Sequence, residues 1–297
     1  MMSKTPLDAT SPNPSADIQS KARDCAVLPN DQGGRGWASR VPQYSTLQTA
    51  PTLLQRLRTE LAKPGILWFF GIHGLLGLAF FFLPEIDLGF SGLFYTSGKG
   101  FVIESRSSAK ALPFLPWITI AFVSLSILLF IRRIVAGRRN RQSISRLSSI
   151  RRILFLLLTL FLGPGLLINV ILKEQSGRSR PSRVEAFGGD RQFTAAFTAT
   201  GPCKSNCSFV SGDAAMGYYL LAFLFVARKR RWAIALAAYT LGTAIGLVRI
   251  AQGAHFLSDV IFAGFFTFLV AWILSMLLLA AQENSAALLA PDLDIRR

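Results

Sequence analysis

The chain has 297 residues, 51% of them hydrophobic, with 24 phenylalanines and a mean hydropathy of +0.42. With several long uncharged runs, these values exclude an ordinary soluble globule and point to an integral membrane protein. The formal charge of +16 does not argue for nucleic acid: the arginines sit at the ends of hydrophobic runs, as in membrane proteins, and an anionic lipid bilayer is the partner they suit.

Residues 1–52 are rich in Ser, Pro, Asp, Asn and Gly and poor in large apolar side chains, the composition of a disordered tail. Cys25 lies in this tail and carries no signal. No signal peptide is legible, since the first apolar run comes late and has no credible cleavage site. Residues 53–63 (LLQRLRTELAK) have helical periodicity with arginines on the polar face, and read either as an interfacial helix or as an extension of the first span.

Measured against the roughly 20 apolar residues that cross a bilayer, residues 64–281 hold six expected spans. They run from Gly65 to Pro84, Leu112 to Ile131, Ile153 to Leu172, Phe209 to Ala227, Trp232 to Val248, and Phe256 to Ala280. The predicted fold is thus an all-α, polytopic six-helix membrane domain, with residues 282–297 as a second tail. The segment Arg132 to Arg152 holds eight arginines and no acid, and Arg228 to Arg231 is four consecutive cations. By the positive-inside rule both are cytoplasmic, as are the two termini, in an inner (cell) membrane protein.

The loop after the third span breaks that rule. Lys173, Arg178, Arg180, Arg183, Arg191 and Lys204 all fall on the outer face. Arg178, Arg183, Arg191 and Lys204 read as an ordinary solvated loop; Lys173 and Arg180 stand out by position. Cys203 and Cys207, in the same outer and disulfide-permissive compartment, are expected to bridge and brace the segment leading to Ser211. His73, inside span one beside Gly71 and Gly74, reads as a packed histidine. Phe90, Phe94, Tyr95 and Phe101 read as acyl-chain guides or interfacial aromatics.

Topology gathers the remaining polar residues. Lys173 ends span three, Ser211-Gly212-Asp213 opens span four, Arg249 ends span five, and His255 opens span six. Odd spans finish, and even spans start, on one side of a six-span protein. Polar groups at membrane depth are costly and usually functional. Three cations neutralise the oxygens of a phosphoryl group in its transition state. A helix start adds backbone N–H groups, with Gly212 allowing close approach. His255 supplies a nucleophile that forms a phosphohistidine, and Asp259, four residues on and on the same helix face, orients the ring. No His, Cys or Asp cluster has metal-ligand spacing, so no metal and no cofactor is expected.

Lys173, six residues, Arg180-Pro181, then Ser211-Gly212, then Arg249, five residues, His255, three residues, Asp259 resembles the three-part signature of the type 2 phosphatidic acid phosphatases (PAP2), which share their site with the vanadium haloperoxidases. The resemblance covers about residues 65–280. It implies a PAP2/haloperoxidase-type helical core and a membrane lipid phosphatase working at the periplasmic side. Lys173, Arg180, Ser211, Gly212 and Arg249 would bind phosphate, and Asp259 would pair with His255. The haloperoxidase branch fits poorly because those enzymes are soluble.

The chain departs from the family where Pro-Ser-Gly-His is usual, reading Val210-Ser211-Gly212-Asp213. Val248 likewise replaces a serine common before the arginine. An ordinary aspartate is ionised at neutral pH, so Asp213 reads as a proton donor activated by bound substrate, a residue positioning water, or a favourable first-turn acid. Acids at this position occur in lipid A phosphatases, which the chain is similar to; that implies a lipid A phosphate as substrate. The alternatives are undecaprenyl (polyprenyl) diphosphate, phosphatidylglycerol phosphate and phosphatidate. Two rival classes are a serine hydrolase using Ser211, His255 and Asp259, which would not need three cations, and a catalytically inactive lipid-binding or transport protein.

Overall fold

The computed structural model describes residues 52–103, 121, 124–125, 127–129, 131–132, 144–198 and 201–279. Both tails, Cys25, most of the expected second span and much of the arginine-rich segment after it lie outside the described residues. A short helix α1 (Leu53–Leu61) opens on a capping box in which Thr52 and Gln55 satisfy each other's backbone N–H groups. Helix α2 (Pro64–Phe82) starts with proline at its first position and stops before Pro84, as the missing proline N–H dictates. Its Leu67, Trp68, Leu75 and Phe82 side chains are exposed, the outward apolar surface that a lipid-facing helix presents. His73 is held in it by a hydrogen bond with the Phe69 carbonyl at 2.8 Å and packs against the rings of Phe69 and Phe265.

Helix α3 (Glu85–Gly92) follows, then a two-residue hairpin of β1 (Tyr95–Thr96) and β2 (Gly100–Phe101). Tyr95 and Phe101 pack on each other and on Phe187, so these aromatics cover the loop that carries Phe187. Helix α4 (Ile144–Leu160) continues through a π-helical stretch, Phe161–Leu172, into one α-turn, Lys173–Gln175. Pro164, which has no N–H to donate, lies in the widened stretch, and Asn169 Nδ2 donates to its carbonyl at 2.7 Å.

Helix α5 (Gly212–Tyr218) tightens into a 3₁₀ segment, Tyr219–Phe225. Helices α6 (Arg231–Ala251) and α7 (Leu257–Leu278) complete the described fold. Among the described residues, four helices are long and apolar enough to cross a membrane: Pro64–Phe82, Ser148–Gln175, Arg231–Ala251 and Leu257–Leu278. The expected span from Phe209 to Ala227 is shorter than its apolar run suggested. Ser211 caps the helix, so the chain before it is extended, and the helical part rises only about 24 Å, against a hydrocarbon core of about 30 Å. This short element is the centre of the bundle. Ala214, Ala215, Tyr218 and Leu221 are buried and pack in one core with Ile250 of α6 and Val260, Phe262 and Ala263 of α7.

Candidate active site

The turn between α6 and α7 places two of the predicted residues. Helix α6 ends in a Schellman motif, in which the Ala254 N–H donates to the Arg249 carbonyl at 3.0 Å and Gly253 N–H to that of Ile250 at 2.8 Å. Gly253 has φ +61°, and a Cβ there would lie 2.5 Å from the Phe101 ring; only glycine meets both demands. The Ser182 N–H docks on the Gly253 carbonyl at 2.9 Å. The turn thereby fixes Arg249, His255 and the loop carrying Arg180 to one another.

His255 is fully buried. Its Nδ1 lies 2.7 Å from the Ser208 carbonyl, an acceptor that requires Nδ1 to carry the proton. That leaves Nε2 with the lone pair, and among the described residues Nε2 has no hydrogen-bond partner. Burial, reinforced by Arg249 and Arg180, pushes the imidazole below its ordinary value, against an opposing pull from Asp259. The ring is therefore neutral at neutral pH.

The expected partner Asp259 stands beside His255. Asp259 Oδ2 lies 3.6 Å from Nδ1, within ion-pair range but beyond a hydrogen bond. Its oxygens are committed elsewhere: Oδ1 accepts from Arg178 at 2.6 Å, and Oδ2 accepts from the Phe256 N–H at 2.7 Å and from the Ser208 hydroxyl. Asp259 thus acts on His255 through Ser208 and through its charge. Arg178 corrects the sequence expectation. Expected in a solvated loop, it is 1% exposed and forms ion pairs with Asp87 and Asp259. Arg183 and Lys204 are exposed and Arg191 half-buried, as loop cations should be.

The phosphate-binding candidates surround this histidine. Ser211 Oγ accepts from the Ala214 N–H at 3.4 Å, and the Ser211 N–H donates to the Asp259 carbonyl at 3.1 Å, so the start of α5 is tied to α7. A Cβ on Gly212 would stand 2.2 Å from Asn169 Oδ1. The close neighbour that glycine admits is therefore Asn169, which also accepts from Lys173 Nζ at 3.3 Å. Arg180 donates to the carbonyl and to Oδ1 of Asn206. Arg249 pairs with Asp213 at 2.9 Å and donates to Gln252 at 2.7 Å. Burial lowers Arg180 from its ordinary value, Arg249 lowers it further, and Asp213 and Asp259 oppose this. The three cations are thus close enough to act on one another, with Asp213 the half-exposed anion among them.

Cys203 and Cys207 are bridged. The bridged segment runs beside the one carrying the cations: Cys203, Cys207 and Ser208 N–H groups donate to the carbonyls of Gly177, Lys173 and Arg178. This carries Ser208, which sequence reasoning missed, to His255. Ser208, Arg178 and Asp87 gave no local signal because the side-chain partners that tie them to α7 and to one another lie between 46 and 171 residues away. A mostly apolar cavity of about 260 Å³ is lined by Leu172, Arg178, Ala195, Phe197, Phe209 and Phe266, among others. Among the described residues, no three His, Cys, Asp or Glu side chains are grouped to hold a metal ion.

Comparison with known proteins adds an independent finding. Residues 152–283 match the model of the PAP2 superfamily. The chain is 34% identical over 224 residues to a lipid A 4′-phosphatase of Francisella tularensis subsp. novicida (strain U112), covering 71% of this chain and 98% of that relative. It is 41% identical over 124 residues to a lipid A 4′-phosphatase of Rhizobium leguminosarum, covering 41% of this chain and 50% of that one. A Rhizobium etli protein of the same name is 41% identical over 123 residues, 45% of its length. No solved structure matches the chain.

Proposed function

The chain belongs to the PAP2 superfamily and is a membrane lipid phosphatase, and on that premise we propose that it hydrolyses a phosphate ester of lipid A through a phosphohistidine on His255. The observation that carries the mechanism is the free, buried Nε2 of a ring whose Nδ1–H is held by Ser208. The names of the relatives support the 4′-phosphate as the group removed. The apolar cavity lined by Leu172, Phe197, Phe209 and Phe266 suits an amphiphilic substrate.

In the first step Nε2 attacks phosphorus, the P–N bond forms and the P–O bond to the sugar breaks. Lys173, Arg180 and Arg249 carry the charge on the phosphoryl oxygens. The ring becomes cationic, and the Ser208 carbonyl and the nearby Asp259 carboxylate stabilise it. The proton taken by the departing sugar oxygen comes from solvent through Asp213, whose carboxylate is paired with Arg249 and takes up that proton once the phosphate competes for the cation. In the second step water attacks phosphorus, the P–N bond breaks and inorganic phosphate leaves.

The site opens on the periplasmic side in this reading. Arg228–Arg231 lie at the opposite end of α6 from Arg249, about 27 Å away by helical rise, close to the thickness of the hydrocarbon core. The positive-inside rule puts the basic end in the cytoplasm. The chain's own domain arrangement follows: a cytoplasmic tail over residues 1–52, the phosphatase domain over 64–281 and a short cytoplasmic tail.

The test is phosphate release by the purified full chain from lipid A, polyprenyl diphosphate, phosphatidylglycerol phosphate and phosphatidate, beside the His255→Ala variant. Release from lipid A that vanishes in the variant is expected. Preferential turnover of another lipid would overturn the substrate, and full activity in His255→Ala would overturn the mechanism.

A further inference from the structure

Building on the phosphatase reading above, we propose that Asp87 and Arg178 are positioning residues for the nucleophile. A carboxylate from α3 and a guanidinium from the loop after α4 together hold the first turn of α7, and with it Asp259 and His255, in the transfer geometry. Asp87 lies outside the residues that match the family model.

The first turn of any helix leaves backbone N–H groups without partners. Helix α7 has Phe256 at its N-cap, a side chain with no acceptor oxygen to offer. Asp259 accepts the Phe256 N–H at 2.7 Å. Asp87 accepts the Ser258 N–H at 2.9 Å and the Ser258 hydroxyl at 2.6 Å, from 171 residues away. Helix α3 therefore supplies the cap that α7 lacks.

Arg178 locks the two carboxylates together. Nη2 donates to Asp87 at 2.7 Å, and Nη1 to Asp259 at 2.6 Å and to Ser258 Oγ at 2.7 Å. Nε donates to the Thr194 carbonyl at 3.0 Å, and the guanidinium lies 4.3 Å from the centre of the Phe256 ring. Only a planar fork of donors reaches all of these at once. Asp259, fixed in this way, accepts from the hydroxyl of the same Ser208 whose carbonyl holds His255 Nδ1.

The charges add a second effect. Two carboxylates and one guanidinium leave the buried cluster one negative charge, on the side where the ring becomes cationic. The other charged groups facing His255 are Arg249 from α6 and Arg180 from the loop after α4. Removing the Asp87 charge therefore makes the protonated ring less favourable and moves the acid limb of kcat/KM to lower pH. Arg178→Lys keeps the charge and loses the fork, so it should slow turnover with the limb in place.

The experiment uses the full chain in detergent, with lipid A as substrate, comparing wild type, Asp87→Asn and Arg178→Lys. Expected is a fall in kcat on the order of 100-fold, the scale of a misplaced catalytic group, with KM unchanged and the acid limb displaced downward in Asp87→Asn alone. A loss that tracks only the amount of folded protein, with a pH profile that superimposes on wild type, would overturn the proposal, as would unchanged kcat. If wild type itself releases no phosphate from any lipid, the phosphatase reading falls and this role with it. If wild type turns over and Asp87→Asn matches it, only the positioning role falls.

Discussion

Arg178→Met removes the one cation between two fully buried carboxylates. Asp87 and Asp259 are 0% exposed and lie 2.7 and 2.6 Å from the guanidinium. At the effective dielectric that suits protein sites, unit charges about 4 Å apart interact by about 4 kcal/mol. Breaking a buried pair from one side costs about 3–5 kcal/mol, because the abandoned charge stays out of water. Against a total stability of about 5–15 kcal/mol, that is a severe loss, roughly 6–20 °C in melting temperature for a domain of this size. The sign with pH is also fixed. Burial already raises Asp87 while Arg178 opposes it, so without the arginine it rises further. The folded variant then binds a proton that the unfolded chain does not, and its stability recovers as pH falls through that raised value. The assay is a melt in detergent at pH 7.5 and at pH 5. A variant that melts with wild type at pH 7.5, or a deficit that widens on acidification, would refute the reasoning.

The activity of wild type should keep its acid limb below pH 6.5, because burial lowers His255 and keeps the nucleophile neutral where a free histidine would protonate; a limb above 6.5 in kcat/KM would contradict this. Gly253→Ala should lose about 1–2 kcal/mol from the left-handed backbone alone, with more from the Phe101 contact. Its kcat should fall as Arg249 and His255 lose their common turn, and a fully active variant of wild-type stability would count against that role. Asp213→Asn should slow phosphoenzyme formation from lipid A while sparing a substrate with a good leaving group, such as an aryl phosphate; equal rates on lipid A for wild type and variant across the pH range would exclude a proton donor.

The ends of spans were where sequence spoke most clearly. Lys173, Asp213, Arg249 and His255 are polar residues at the borders of apolar runs, so periodicity and topology alone bring them to one face. Arg178 carried no such mark. Its partners are Asp87 and Asp259, 91 and 81 residues away, and a charge in a loop is solvated unless a distant fold element buries it. Ser208 was missed for the same reason, since it acts on His255 largely through a backbone carbonyl, which any residue type possesses. The short α5 departs from its expected span because apolar length is not helical length. The serine at position 211 caps the helix, a signal present in the sequence, and the extended residues before it subtract from the span.

The central claim is a covalent phosphoryl group on His255. Lipid A carrying radiolabelled phosphate, mixed with the full chain and quenched within one turnover, should leave label on the protein. That label should be stable to alkali, lost in acid as phosphohistidine is, and absent from His255→Ala. Label that is absent from wild type while phosphate is still released, or that persists in His255→Ala, would contradict the account.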